Sequence, residues 1–168
     1  MQKGFTVVEL IISMFIIIVL ATMVSIAFGY NQQHKTLVAQ GKMFLNVLKE
    51  TQAKALAGVK NPVTNSVPVG GWGVQIKETK YYIFADTNAN AMLDIGETIS
   101  NGDLFAKNVR FKNAQTDIVF LPYKTIDSVC WEKVCADAAV KIITLENSQS
   151  GEPFLIYIDP TVGKVFTE

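Results

Sequence analysis

A twelve-residue segment, Asp86 to Glu97, has side-chain oxygens at the spacing of a calcium-binding loop. In loops of the form D-x-[DN]-x-[DN]-G-x5-E, side chains at positions 1, 3, 5, 9 and 12 bind the ion, and position 7 adds a backbone carbonyl. The residues at these positions are Asp86, Asn88, Asn90, Met92, Asp94 and Glu97. The segment, called the acidic loop below, is therefore a predicted calcium site.

Three features of the acidic loop argue against calcium. Ala91 stands at position 6, where the sharp turn favours glycine, and only three of the five side-chain ligands are charged. The flanking residues read as strands, whereas calcium loops of this kind join two helices. The alternative is a turn whose Asp and Asn side chains bond their own backbone. Calcium is the one cofactor that the sequence suggests, and no feature requires it.

The two cysteines, Cys130 and Cys135, have four residues between them. A metal site would need further ligands, and the single histidine, His34, lies far away along the chain. A two-residue turn at Glu132 and Lys133 would pair the cysteines across a hairpin and allow a disulfide. The alternative is two buried free thiols.

The residue types of a catalytic site are missing from the sequence. The chain has no G-x-S-x-G, H-E-x-x-H or phosphate-loop motif, and one histidine cannot serve both in a triad and as its own orienting group. Fifteen basic and fifteen acidic residues balance, so no net field attracts nucleic acid. The small basic cluster Lys107–Lys112 is interpreted as a solvated strand face. We therefore predict that the protein is not an enzyme and do not expect nucleic acid as a partner.

The longest apolar run extends from Phe5 to Phe28, and Glu9 is its only charged residue. A helix needs about 20 apolar residues to cross a bilayer core, so this run is long enough. A secretory signal peptide has an apolar region of only about 7–15 residues, followed by a cleavage site that is missing here. We predict a retained transmembrane or filament-core helix over residues 5–30, called the apolar segment below.

Helical periodicity continues beyond the apolar segment, over residues 31–58. Apolar and small residues recur at the i, i+4, i+7 spacing, while lysines and other polar residues take the opposite face. The predicted buried positions are Leu37, Gly41, Phe44, Leu45, Leu48, Gln52, Ala55, Leu56 and Val59. Gly58 and the pair Asn61-Pro62 end the pattern. A single helix of about fifty residues is predicted, near 80 Å long at 1.5 Å per residue.

Residues 59–168 are rich in short runs of β-branched and aromatic residues separated by polar connections, which indicates an antiparallel sheet. The predicted strands are Trp72–Ile76, Lys80–Ala85, Leu104–Phe111, Asp117–Leu121, Ala139–Leu145, Phe154–Ile158 and Lys164–Thr167. The predicted fold class is α+β: a long N-terminal helix, apolar and then amphipathic, packed against a small antiparallel β-sheet domain.

Glu9 is a carboxylate in a segment that otherwise suits hydrocarbon. Such a group costs about 2.5–3.5 kcal/mol at the centre of a membrane helix, and less near its end. If the chain were cut between Gly4 and Phe5, the new amino group on Phe5 would lie one helical turn from Glu9. An ammonium and a carboxylate attract strongly in a low dielectric. The alternative is that Glu9 lies close enough to the bilayer surface to reach water.

The segment Lys3-Gly4-Phe5-Thr6-Val7-Val8-Glu9-Leu10, with the apolar run after it, resembles the processing site of type IV prepilins and of type II secretion pseudopilins. The resemblance implies a pilin-like fold and a leader, residues 1–4, that prepilin peptidase removes before methylating Phe5. It implies that Glu9, then the fifth residue, pairs with the terminal amine of a neighbouring subunit. The implied partners are other pilin or pseudopilin subunits, the inner-membrane assembly platform and the lipid bilayer.

Two departures from that family are visible at the N-terminus. The leader is short, and Ile26 stands where many members have a proline. Any local melting of the helix on assembly would therefore have to centre on Ser25 to Gly29.

A second resemblance, to H-type pseudopilins and FimT-like pilins, lies in Trp72-Gly73-Val74 and in the acidic loop ending in Gly96-Glu97. FimT-like pilins are associated with DNA uptake, so a DNA-uptake minor pilin is one alternative function. A membrane-anchored binding domain that never polymerises is another. Cysteines that pair in an oxidising compartment favour a single-pass inner-membrane protein whose C-terminal part lies outside the cytoplasm.

Overall fold

A computed structural model of the chain describes residues 6–100, 103–104, 107–112, 116–123, 129–135, 139–161 and 163–167, and for residues 25–31 and 103–104 it describes the backbone alone. These residues form one α-helix and ten β-strands. The predicted α+β fold class, with a long N-terminal helix and antiparallel strands, is confirmed.

The helix α1 spans Val7–Leu56. It begins after Thr6, whose Oγ1 accepts a hydrogen bond from the Glu9 N–H at 3.3 Å, as an N-cap residue does. It ends in a Schellman motif at Gly58, which has a φ of 59°. There the Val59 N–H donates to the Lys54 carbonyl at 2.9 Å and the Gly58 N–H to the Ala55 carbonyl at 3.1 Å. Glycine at this position therefore ends the helix where the sequence predicted.

The chain divides into two compact units, the first ending at Lys35 and the second running from Thr36 to Glu168. The first unit contains Val7–Val24, a stretch with a mean hydropathy of 2.8 and no residue buried within the structure. By length and composition, this part of α1 could cross a membrane. The second unit, called the globular unit below, contains the C-terminal part of α1 and the strands.

The strands form two antiparallel sheets. The strands are β1 (Gly71–Lys77), β2 (Lys80–Asp86), β3 (Asp103–Leu104), β4 (Val109–Phe111), β5 (Thr116–Phe120), β6 (Val129–Trp131), β7 (Val134–Cys135), β8 (Lys141–Asn147), β9 (Pro153–Asp159) and β10 (Lys164–Phe166). The larger sheet has the order β3-β2-β1-β5-β6-β7, and the smaller has the order β10-β9-β8-β4.

The predicted strands match the observed ones to within two residues, except for Leu104–Phe111. That prediction was wrong, because Leu104 pairs with Lys80 in the larger sheet whereas Val109–Phe111 pairs with β8 in the smaller one. The chain changes sheets between these strands. Lys107 and Asn108 form a turn before β4, and the Asn108 carbonyl accepts a hydrogen bond from the Ser148 N–H at 2.8 Å.

One stripe of α1 forms the centre of the core. Its buried residues are Leu37, Gly41, Phe44, Leu48, Thr51 and Ala55. The ring of Phe44 lies 5.2 Å from that of Tyr81 on β2 and 4.8 Å from that of Phe111 on β4, between ring centroids. Phe44 therefore contacts both sheets, and helix and sheets share one hydrophobic core.

The predicted helix stripe was wrong near its C-terminal end. Leu56 and Val59 are exposed, whereas Thr51, which was not predicted, is buried. The Thr51 hydroxyl donates to the Val47 carbonyl at 2.8 Å, so its polar group is satisfied inside the helix and its burial costs little.

Gly41 allows α1 to approach the smaller sheet closely. A Cβ atom at Gly41 would lie 2.2 Å from Cδ1 of Phe154, so a larger residue forces the β9 side chain to move.

We expect Gly41→Ala to lower the free energy of unfolding by about 1–3 kcal/mol, as overpacking does. Helix propensity alone would raise it by about 1 kcal/mol, so the sign of the change separates the two effects. Thermal unfolding of the full chain in detergent, followed by the fluorescence of Trp72 and Trp131, measures this. Gly41→Ala combined with Phe154→Leu should recover most of the loss; a stabilised single variant would contradict the close packing.

Candidate functional site

The N-terminal candidate site begins with the first turn of α1. Thr6 and Glu9 stand at the N-cap and N3 positions, the spacing of a capping box. The exposed carboxylate of Glu9 lies in the first turn of the helix, near its N-terminal end. Gly4 and Phe5, the predicted processing residues, lie outside the described residues.

Two hydroxyl groups farther along the apolar segment are satisfied within the helix. The Ser13 hydroxyl donates to the Glu9 carbonyl at 2.7 Å, and the Thr22 hydroxyl donates to the Val19 carbonyl at 2.8 Å. Such bonds let hydroxyl groups enter hydrocarbon at little cost. Glu9 is the one charged side chain between Val7 and Val24, and it forms no ion pair with any residue that the structure describes.

The second candidate site, the acidic loop, follows β2 and is closed at both ends by carboxylates. Oδ1 and Oδ2 of Asp86 accept the N–H groups of Asn90 at 3.3 Å and Ala91 at 2.9 Å. Oε1 of Glu97 accepts both the N–H and the hydroxyl of Thr87 at 2.7 Å. Asp86 and Glu97 are buried, so these bonds compensate for their loss of hydration.

The side chains at positions 3, 5 and 9 of the acidic loop meet one another. Oδ2 of Asp94 accepts the side-chain N–H groups of Asn88 at 2.7 Å and Asn90 at 2.6 Å. Asn88 and Asn90 each also accept the backbone N–H two residues later, which is the Asx-turn arrangement. The predicted ligand side chains are therefore brought together, and at least one oxygen of each accepts a hydrogen bond from a donor of the loop itself.

No cluster of three or more His, Cys, Asp or Glu side chains that could hold a metal ion occurs among the described residues. Calcium binding by the acidic loop stays a prediction. The hydrogen bonds within the loop are those expected for the alternative, a turn that bonds its own backbone.

The acidic loop is folded onto the sheet. Ala91, at position 6, adopts the left-handed conformation with a φ of 57°, which alanine disfavours by about 1–2 kcal/mol. Its buried methyl group packs in a second hydrophobic cluster with Phe84, Val119 and Cys130, and Leu93 packs against the same cluster. Burial of this methyl group offsets part of the conformational cost.

The cysteine hairpin lies beside that cluster. Cys130 on β6 is directly opposite Cys135 on β7, and the two sulfurs are bonded at 1.99 Å. Glu132 and Lys133 form the turn with φ values of 48° and 71°, the two positive values of a type I′ hairpin. The disulfide thus links the edge of the larger sheet to the surface that the acidic loop covers.

Asp117 is a buried carboxylate that sequence reasoning missed. It lies on β5, a strand whose five residues are all buried, and its Oδ1 has no hydrogen-bond partner. Burial raises the pKa of Asp117, and the nearby Glu132 carboxylate adds to the rise, although hydrogen bonds from Gln75 and the Leu93 backbone oppose it. The missed signal was the acid's position within a central strand, which is buried on both faces.

The predicted site residues do not form one site. Glu9 belongs to the first unit, whereas the acidic loop and the cysteines belong to the globular unit. In the globular unit, the acidic loop, the disulfide and Asp117 share one face of the larger sheet through Cys130, Val119 and Leu93.

Comparison with known protein families gives one match, at the N-terminus of the chain. Residues 1–25 match the family model described as the prokaryotic N-terminal methylation motif. The chain therefore carries the type IV prepilin-like signal predicted from Lys3 to Leu10. No curated protein and no solved structure matches the chain. The H-type and FimT-like branch stays a prediction.

Glu97→Gln is expected to destabilise the globular unit by about 1–3 kcal/mol. Both carboxylate oxygens accept backbone N–H groups, whereas the amide nitrogen of glutamine is itself a donor and would leave one of these N–H groups without an acceptor. Oε2 of Glu97 accepts the Asp94 N–H at 3.2 Å, in addition to the two bonds from Thr87. Tryptophan fluorescence on heating measures the loss, and faster hydrogen exchange at Thr87 and Asp94 locates it. The matched control is Glu78→Gln, a substitution at an exposed residue. Equal stability of both variants would contradict the stabilising role of the Glu97 hydrogen bonds, called the Glu97 clamp below.

Asp117→Asn is expected to raise the free energy of unfolding at pH 7 by about 1 kcal/mol, a common size for one substitution. The pKa of Asp117 in the folded state is raised above 3.8, so the folded protein holds a proton that the unfolded chain has released. Stability therefore falls as pH rises through the folded pKa, and the cost is absent below the unfolded value.

The advantage of Asp117→Asn over the wild type should thus disappear near pH 3 in denaturant titrations. Glu132→Gln removes only the neighbouring charge, so it should give a smaller gain with the same pH trend. A difference between Asp117→Asn and wild type that does not depend on pH would contradict the buried-carboxylate explanation.

Proposed function

We propose that this chain is a prepilin-like structural subunit that is cut between Gly4 and Phe5 and assembles into a type IV pilus or a type II secretion pseudopilus. The observation that carries the proposal is the coincidence of the methylation motif at residues 1–25 with the exposed apolar stretch Val7–Val24. The motif marks a precursor of the pilin or pseudopilin type. The apolar stretch exposes a surface that is unfavourable in water and must be buried in lipid or against other apolar helices.

Burial of that surface accounts for both proposed states of the subunit, inserted in the membrane and assembled in the filament. Val7, Val8, Phe15 and Met23 each expose more than half of their side-chain surface in the isolated chain. In the inner membrane, lipid covers these side chains, and the helix satisfies its own backbone groups. In a filament, the same side chains pack against the apolar segments of neighbouring subunits. Assembly therefore exchanges lipid contacts for helix contacts.

Glu9 sets the position of one subunit against the next. After cleavage, the amino group of Phe5 is the cation that the otherwise apolar segment supplies, and prepilin peptidase methylates it. A carboxylate and an ammonium a few ångströms apart attract by about 4 kcal/mol at an effective dielectric constant of 20. Because the apolar segment has one acid, only one axial position brings a neighbour's amine to it. The pair thereby selects a register that apolar packing alone leaves undefined.

The cysteine hairpin supports a location of the globular unit outside the cytoplasm. A disulfide persists away from the reducing cytoplasm, so the Cys130–Cys135 bond favours a globular unit on the far side of the inner membrane. The chain then crosses the membrane once through the apolar segment. The role of the globular unit is to contact neighbouring subunits or cargo, and no catalytic step is assigned to it.

Glu9→Ala is expected to lower incorporation into filaments by about 100-fold, because the neighbour's amine loses its partner at a cost of about 2.5–3.5 kcal/mol. Membrane insertion and removal of residues 1–4 should be unchanged. Quantitative immunoblots of sheared filaments and membranes, with mass spectrometry of the N-terminus, measure all three. Ser13→Ala, one turn farther along, is the matched control.

Two outcomes would overturn the proposed function. An intact Met1 with unmethylated Phe5 in the native protein would exclude processing, and the chain would then be a membrane-anchored domain. Normal filament incorporation of Glu9→Ala would exclude the pairing. Retardation of DNA by the protein at moderate salt would instead favour the DNA-uptake alternative.

A further inference from the structure

A cationic groove lies between α1 and the final hairpin of the globular unit. It is open, has a volume of about 470 Å³, and is lined by Lys49, Gln52, Gly163, Lys164 and Val165. The side-chain amide of Gln52 donates a hydrogen bond to the Gly163 carbonyl, which ties the hairpin to the helix. The groove is therefore a formed feature of the fold and has a fixed position on the globular unit.

The two lysines of the groove are available to a partner. Lys49 and Lys164 are exposed, and neither ammonium has an ion pair within the part of the chain that the structure describes. The Lys164 ammonium lies 5.1 Å from the centroid of the Phe166 ring, which orients it. Val165 is buried and contributes apolar surface to the lining, and the aliphatic stems of the lysines add more. This combination fits a carboxylate next to an apolar side chain.

The tip of the acidic loop presents that combination. Asp94 is exposed, and its carboxylate receives hydrogen bonds from neutral Asn88 and Asn90 without a cation partner among the described residues. Ile95, next to it, is fully exposed, which is unusual for so large an apolar residue. The bond from the Asp94 N–H to Glu97 fixes the tip before binding, so little conformational entropy remains to be lost.

Most other carboxylates whose side chains the structure describes in the globular unit are already engaged. Glu50 pairs with Lys54 at 2.8 Å, and Glu146 pairs with Arg110 at 2.8 Å. Glu132 accepts the Thr116 hydroxyl at 3.2 Å in the cysteine hairpin, where no exposed isoleucine adjoins it. Asp94 with Ile95 is therefore the pair that complements both the charge and the apolar surface of the groove.

We propose that the Asp94–Ile95 tip of one subunit docks into the Lys49–Lys164 groove of a second copy of this chain. The inference rests on the proposed function, since it supplies a contact between globular units in the assembled state. The tip and the groove share no residue, so the contact is heterologous: each copy offers one surface and receives the other. Heterologous contacts that do not close into a ring build open helical filaments.

The test uses full-length chains in the host's filaments, with Ile95→Cys in one copy and Lys164→Cys in another. A short bismaleimide should join the two variants into a dimer of this chain, and should join either variant to itself at least tenfold less. An equal yield for a pair built on Ile95→Cys and Lys60→Cys would overturn the proposal, because Lys60 is an exposed lysine outside the groove. A cross-link from Ile95→Cys to a different protein would also overturn it.

A charge exchange tests the groove independently of cysteine chemistry. Lys164→Glu and Asp94→Lys should each lower filament incorporation at least tenfold, and the double variant should recover most of it because the charges attract again. Lys60→Glu, with the same change in net charge, should have no effect. Wild-type levels for Lys164→Glu, or no recovery in a double variant whose melting temperature is unchanged, would overturn the docking.

The two proposals fail in different ways. If cleavage after Gly4 and dependence on Glu9 hold while Ile95 and Lys164 do not cross-link, the docking is wrong and the proposed function stands. A wild-type chain that stays monomeric would overturn both.

Discussion

The burial of one stripe of α1 between two sheets is the interaction on which the globular unit depends. Phe44 lies in the centre of that stripe, with Tyr81 of the larger sheet on one side and Phe111 of the smaller sheet on the other. Both sheets contribute residues to the main hydrophobic cluster that contains this stripe of the helix. Gly41 brings Phe154 close to the helix axis, and the Schellman motif at Gly58 releases the chain where the core ends. The positions of the acidic loop, the cysteine hairpin and the cationic groove all follow from this packing.

The same helix satisfies a different constraint at its other end. Between Val7 and Val24 no residue is buried against the part of the chain that the structure describes, and one carboxylate interrupts the apolar surface. An apolar helix can slide along its neighbours with little change in free energy, because each methyl group contacts a similar methyl group in any register. A charge that needs one particular partner removes that freedom. In the proposed assembly, non-directional burial supplies the affinity for association, and Glu9 supplies its geometry.

Much of this architecture could be predicted because its signals are local. The helix lacks a strong breaker until Gly58, and the strands alternate β-branched and aromatic residues between turns. The errors arose where distant residues decide the outcome. Residues 104–111 were predicted as one strand, but Leu104 pairs with Lys80 in the larger sheet and Val109–Phe111 pairs with β8 in the smaller one. Asp117 is buried because it lies in a central strand and the acidic loop docks nearby, which spacing along the chain does not reveal. Cleavage after Gly4 was inferred from a family resemblance, since no periodicity encodes recognition by a peptidase.

The Glu97 clamp has a consequence for how this protein can diverge. One buried carboxylate joins Thr87 at the start of the acidic loop to Asp94 near its end, and the bridge between Phe84 and Thr98 closes the segment just outside it. The exposed residues at the tip therefore do not contribute to the hydrophobic cluster beneath the loop. Substitutions at the tip can change what the loop binds while the bonds of Glu97 hold the loop in the same conformation. Binding specificity can thus change at this position without a change of fold.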